Sequence, residues 1–165
     1  PGWNEERIDK AIIKIRNSIN ISEKIKDRIF CSFRERTSNV AGQDMVIRPA
    51  IFEIVNRNKN FFDIFEPMDT ENFIRTLGKY KYSLCPHGNG LDPSPTMWLS
   101  LAVNTIPVIF NTANVRDMFS GKDSVIFFNK FEEIINKNLY SDRPSIDFEF
   151  LTCEYWANKI KSKIS

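Results

Sequence analysis

Between positions 81 and 110 the chain carries a short apolar run, a polar loop with two glycines, a helical pattern and a second β-branched run. Lys81 to Cys85 reads as a strand, and Pro86-His87-Gly88-Asn89-Gly90 leaves it. After Leu91 to Pro95 the spacing predicts a short helix over Thr96 to Val103, ended by Asn104. Ile106-Pro107-Val108-Ile109-Phe110 then forms the next strand. Strands joined through a helix run parallel, and a parallel sheet needs cover on both faces. Pro107 donates no ladder hydrogen bond, so it belongs near the strand start or where pairing is incomplete.

The flanking segments repeat this alternation. Ile8, Ile12, Ile15 and Ile19 recur at helical spacing with Lys10, Lys14 and Arg16 between them, a leading amphipathic helix. Residues 1–27 are read as that helix and a linker, and 28–165 as the domain proper. Arg28 to Phe33 reads as a central strand. Pro49 suits a first helical turn before Ile51, Phe52 and Val55. Phe61 to Phe65 is the second strand. Asp69 or Thr70 caps a helix with Phe73, Ile74 and Leu77, which Gly78 stops. Downstream come a short helix over Asn114 to Phe119, a strand over Ser124 to Phe128 and a helix over Phe131 to Leu139. A terminal helix over Asp147 to Ile164 presents Phe148, Leu151, Tyr155 and Ile160 near one face. Strands separated by helices in this way predict a three-layer α/β/α domain with a mostly parallel sheet.

Composition narrows the function. The 165 residues suit one domain, and 42% hydrophobic with 13% aromatic content suffices for a core rather than disorder. Lys plus Arg number 23 against 21 Asp plus Glu, with signs mixed, which argues against a polybasic nucleic-acid binder. The run Lys159, Lys161, Lys163 reads as a solvated helix end, where the dipole favours cations. Cys31, Cys85 and Cys153 make neither a CxxC pair nor a zinc pattern, and the first two read as buried thiols. No apolar run approaches the roughly 20 residues that cross a bilayer. The chain opens at Pro1 without a methionine, as a processed product or a piece of a longer protein would.

Ligands of open parallel sheets bind beyond the carboxyl ends of the strands. There Gly88 and Gly90 bracket Asn89. Glycine permits close backbone approach, and exposed N–H groups at a following helix start hold phosphate oxygens. Ser94, Thr96 and Ser100 add hydroxyls near that start. The segment is neither GxGxxG nor GxxxxGK[ST], and a turn is its simpler reading. Arg34 and Arg36 follow the first strand, where they pair either with a diphosphate or with Glu35 or Asp44. His87, the sole histidine, suits hydrogen bonding to a phosphate or sugar hydroxyl better than base catalysis, and a multi-histidine metal site is excluded. Asp92 lies close by, yet no nucleophile elbow accompanies it, so triad chemistry is rejected. Glu132 and Glu133 read as capping residues, and Trp3, Trp98 and Trp156 as packing residues.

Lys79 to Asp92, followed after a short helix by Asn104-Thr105-Ile106-Pro107-Val108-Ile109, resembles the donor-binding half of exostosin-like glycosyltransferases. The likeness covers about thirty residues by motif and most of the chain loosely by element order. It implies one Rossmann-like half of a glycosyltransferase-B fold. It also implies transfer of a sugar from a nucleoside diphosphate sugar to a glycan or protein acceptor, inverting and without a bound metal. On this resemblance Pro86 to Gly90 is the loop near the donor phosphates and Asp92 the acidic residue beyond it. Arg34, Arg36, His87, Gly88, Asn89, Gly90, Asp92, Ser94 and Thr96 form the donor contacts. Thr96 and Leu99 stand where the family carries an arginine and a ribose-holding glutamate, and Asn104 where it has glycine. The resemblance implies no cofactor beyond the donor itself, a second half absent from this chain that supplies the catalytic base, and no nucleic-acid partner. It leaves the compartment open between cytoplasm and Golgi lumen. The alternative is a non-catalytic protein- or glycan-binding domain derived from such an enzyme.

Overall fold

The structure, a computed structural model, describes residues 10, 13–14, 17, 26–32, 47–87, 94–119, 124–136 and 151–164. Five strands form one parallel sheet: β1 (Lys26–Cys31), β2 (Phe62–Ile64), β3 (Tyr80–Leu84), β4 (Ile106–Phe110) and β5 (Ile126–Phe128), in the order β2-β1-β3-β4-β5. The helices are α1 (Ile47–Arg57), α2 (Thr70–Leu77), α3 (Pro95–Ala102), α4 (Ala113–Phe119), α5 (Glu132–Asn136) and α6 (Cys153–Ile164). This is the three-layer α/β/α domain the alternation predicts.

Strand alternation divides β1 between two cores. Ile29 and Cys31 join Ile51 and Val55 of α1, Phe62, Tyr82 and Leu84 on one face. Phe30 turns the other way, onto Ile74 and Leu77 of α2, Leu99 of α3 and Val103 just after it. Burying a ring such as that of Phe30 stabilises by about 1.5–3 kcal/mol. Phe65 stacks on Phe30 at 5.1 Å and Phe73 meets it edge-on at 5.4 Å, so the helix after β2 is held to the central strand by aromatic geometry. On the first face, Phe131 lies 5.7 Å from Phe62 and 5.9 Å from Phe128, a single ring that bridges the two edge strands.

The polar start of β1 corrects the expected strand, which was placed at Arg28 to Phe33. The strand begins two residues earlier, at Lys26, and ends at Cys31; Arg28 is held within it because its charge is answered. Nε pairs with Asp63 Oδ1 at 2.8 Å, Nη2 donates to the Phe62 carbonyl at 2.5 Å and also to that of Lys59, and Tyr80 donates to Asp63 Oδ2 at 2.5 Å. Phe33 itself lies outside the described residues. Pro107 is the second residue of the interior strand β4, yet β5 pairs only from Val108 onward, so its missing N–H costs no rung there.

Caps end the helices where the sequence places them. Asp69 accepts the Asn72 N–H at 3.0 Å, and the Gly78 N–H reaches the Ile74 carbonyl at 2.9 Å. Asn104 closes the chain after α3 at φ 59°, a left-handed value that asparagine tolerates, and the Thr105 hydroxyl then sits 3.1 and 3.0 Å from the carbonyls of Leu77 and Tyr80. The terminal helix starts at Cys153 rather than near 147, because the Thr152 hydroxyl accepts the Tyr155 N–H at 3.2 Å. Phe148 lies outside the described residues, and Ile160, expected on the packed face, is 58% exposed. Trp156 instead meets Trp98 of α3 edge-on at 6.3 Å. Lys159 lies 5.0 Å over its ring and donates to the Met118 carbonyl of α4 at 3.4 Å. That lysine is a bridge to α4 rather than a fully solvated helix end. Residues 10, 13, 14 and 17 are helical and exposed, while Ile8, Ile12, Ile15 and Ile19 fall outside the described residues, as does Trp3. No helix among the described residues is long and apolar enough to cross a membrane.

Candidate functional site

All five strands being parallel, their carboxyl ends share one edge. From β1 the sheet grows to β2 on one side and to β3, β4 and β5 on the other, so the connections leaving β1 and β3 diverge there. A crevice opens at such a switch point, outside the carboxyl ends of the two strands. Its rim holds Cys31 and Ser32 from β1, Cys85 to His87 from β3, and Ser94 at the start of α3.

Among the described residues nothing answers the start of α3 electrostatically. Ser94 occupies the N-cap position with extended backbone, but its side chain makes no cap bond. Its residue surface is only 6% exposed, and among the described residues its Oγ has no hydrogen-bond partner. Pro95 supplies the first turn without an N–H, and no acidic residue follows in that turn. A helix start normally satisfies its spare donors with a cap and favours negative charge. This one retains a buried hydroxyl and the positive dipole end, the chemistry that binds an oxyanion.

Beneath it runs a buried relay. Ser100 Oγ donates to the Thr96 carbonyl at 2.6 Å and lies 2.7 Å from Ser83 Oγ, which lies 3.3 Å from Cys85 Sγ. A carbonyl only accepts, so the Ser100 proton is spent on Thr96. Ser83 therefore donates to Ser100, and the Cys85 thiol donates to Ser83. The relay ties β3 to the first turn of α3 and fixes the angle at which that turn faces the crevice. Burial pushes the Cys85 thiol up from 9.0 to about 11, although its hydroxyl neighbours pull the other way. Burial also raises Cys31 well above the ordinary thiol value, with Cys85 and Asp63 adding to it. Both are inert buried thiols, as the sequence suggested.

Of the nine expected donor contacts the structure describes three. His87 is half-buried at the end of β3 with Nε2 inside the protein surface. Ser94 and Thr96 stand at the start of α3, so the three flank residues 88–93 in the chain. Arg34, Arg36, Gly88, Asn89, Gly90 and Asp92 lie outside the described residues. Ser100, expected beside the helix start as a ligand hydroxyl, is instead fully buried in the relay. Leu99, at the family's glutamate position, is also turned inward, against Phe30, Ile74, Leu77 and Tyr80. Among the described residues no group of His, Cys, Asp or Glu is placed to hold a metal ion.

The sequence reading missed a second polar group on the same edge. Phe110 and Phe128 are register partners, so Asn111 and Asn129 lie side by side one step beyond them. Asn111 Nδ2 donates to Asn129 Oδ1 at 2.9 Å and Arg116 Nε to Asn111 Oδ1 at 3.0 Å. The Asn129 N–H reaches Glu133 Oε2 at 3.1 Å, which gives Glu133 its expected capping role. The only sequence signal was an asparagine directly after each of two strands. No protein-family model matches the chain, and no curated protein matches its sequence. What geometry alone supports is a Rossmann-like α/β half-domain, of the general kind that binds nucleotide sugars in glycosyltransferase-B folds.

Proposed function

We propose that this domain binds the diphosphate of a nucleoside diphosphate sugar and serves as the donor half of an exostosin-like glycosyltransferase. The observation that carries the proposal is the uncapped start of α3 at the switch point, with its buried Ser94 hydroxyl. In this reading Ser94 and the first-turn N–H groups hold phosphate oxygens, with His87 as a further donor. Gly88, Asn89 and Gly90 let the backbone approach, and Arg34 or Arg36 meets the diphosphate from β1. Donors fixed in this way stabilise the departing nucleoside diphosphate without a metal, the largest contribution this half makes to an inverting transfer. The acceptor and the catalytic base belong to a second half, and the leading segment within 1–27 either leads into this half or contacts that one.

A second reading, a binding domain without transferase activity, is favoured by one specific observation. Leu99 points into the core where a family member would present a ribose-binding glutamate. Calorimetric titration with UDP, GDP and their sugars, with and without divalent metal, tests donor binding. Saturable binding by one base without metal is the expected result, and absence of binding by every ligand at millimolar concentration overturns it. Transfer of label to glycan acceptors by the full-length protein then separates the two readings.

A further inference from the structure

The Arg116 chain on the β4–β5 side has a polarity that can be worked out atom by atom. Arginine Nε is an obligate donor, so the Asn111 atom facing it at 3.0 Å is the carbonyl oxygen. This settles the orientation of the Asn111 amide, whose Nδ2 then donates to Asn129 at 2.9 Å. The atom of Asn129 that receives it is in turn Oδ1. Each amide oxygen of the chain accepts one of these bonds. The donors left for a ligand are Asn129 Nδ2 and the two Nη groups of Arg116, which make no other bond among the described residues.

These donors are held rather than free to swing. Asn111 N–H bonds the Phe128 carbonyl at 2.9 Å, and the Asn129 N–H is tied to Glu133. Arg116 is tethered through Nε, which leaves its planar fork oriented yet exposed. The group stands on the carboxyl edge of the sheet, where parallel α/β domains meet their ligands, but away from the β1–β3 switch point.

We infer that Arg116 and Asn129 form a second oxyanion site, taking a phosphate or carboxylate group by a fork of Arg116 Nη donors with the Asn129 amide beside it. The site does not depend on what α3 binds. Glu133 lies beside it with its Oε2 engaged by the Asn129 N–H, and Lys130, next to Asn129 in the chain, adds a further positive charge.

The test is a titration of the nitrogen-15-labelled chain with inorganic phosphate, and separately with glucuronate, at constant ionic strength. The Arg116 Nε–H and Asn129 side-chain amide signals are the readout, and the Thr96 backbone amide reports the α3 site independently. Saturable shifts of the Arg116 and Asn129 signals are expected in at least one arm, and the tighter arm identifies the source of the oxyanion. Arg116→Gln is expected to weaken binding by on the order of tenfold or more, since it removes a charge-assisted fork. Asn129→Asp leaves Arg116 in place and should produce a comparable loss through repulsion, so it serves if the first variant does not fold. Shifts that sodium chloride reproduces, or saturable shifts that persist unchanged in Arg116→Gln, overturn the inference.

Discussion

Replacing Ser100 with alanine removes the acceptor on which the Ser83 hydroxyl depends. Ser83 and Ser100 are both fully buried, their oxygens are 2.7 Å apart, and the Ser100 proton is committed to the Thr96 carbonyl. In Ser100→Ala the Ser83 O–H loses its 2.7 Å acceptor and keeps only the weakly accepting Cys85 Sγ at 3.3 Å, in a site without solvent. A buried donor left unsatisfied costs about 1–3 kcal/mol. In Ser83→Ala, by contrast, Ser100 keeps its bond to Thr96, and the Cys85 thiol still has the Ser83 carbonyl at 3.6 Å. That change costs roughly 0.5–1.5 kcal/mol. The double variant leaves neither orphan, so it should be no less stable than Ser100→Ala. The coupling energy is then at least the Ser83→Ala cost, about 0.5–1.5 kcal/mol, against the ~0.5 kcal/mol within which independent sites add. Urea unfolding of the four proteins measures it. At about 2 kcal/mol the single Ser100→Ala change lowers Tm by ~4–8 °C for a chain of this size. Additive losses refute the directed relay, and the fixed angle of α3 with it.

Tyr80→Phe should cost about 1–2 kcal/mol in urea unfolding, since it removes a donor to the Asp63 carboxylate while Arg28 still neutralises it; a loss below ~0.5 kcal/mol contradicts that role. Burial raises both thiols, and unfolding returns them to ordinary values, so the folded state holds protons that the unfolded state releases. Stability is complete below pH 9 and falls as pH rises toward about 11, where Cys85 titrates, by about 1.4 kcal/mol per pH unit for each thiol. Tyr80, raised by burial and by Asp63, adds to the loss above pH 10. Cys85→Ala should remove one thiol's share of that slope, and an unchanged slope refutes the assignment. At the acid end the Asn72 N–H holds the Asp69 carboxyl below 3.8, so its contribution is present above that pH and lost as pH falls further. Asp69→Ala should therefore lower Tm at neutral pH and flatten the acid limb, whereas Asp69→Asn should largely keep the cap.

Much of the fold was legible because its signals are local. Asp69, Gly78, Asn104 and the β-branched run at 106–110 each act within a few residues, and each element they mark is present. The first two residues of β1 were not legible, because Lys26 and Asp27 look like a loop, and the counter-charge that holds the strand at Arg28 comes from Asp63, 35 positions further on. The same holds for the site. Ser94 and His87 stood out by their place after a strand, whereas the inward turn of Ser100 and Leu99 depends on which face of α3 meets β3 and α2. The Arg116 group arises only from the parallel register that sets Asn111 against Asn129, 18 residues apart.

The central claim is that the start of α3 holds a diphosphate, and comparing a nucleoside with its diphosphate tests it most directly. Affinities of the wild type and of Ser94→Ala for uridine and UDP, and for guanosine and GDP, should be measured by calorimetry. One diphosphate is expected to bind the wild type at least tenfold more tightly than its nucleoside. That gap should narrow by about an order of magnitude in Ser94→Ala, with thermal stability unchanged, since the hydroxyl makes no bond in the free protein. Equal affinities for nucleoside and diphosphate, or a gap that Ser94→Ala leaves intact, would contradict the account.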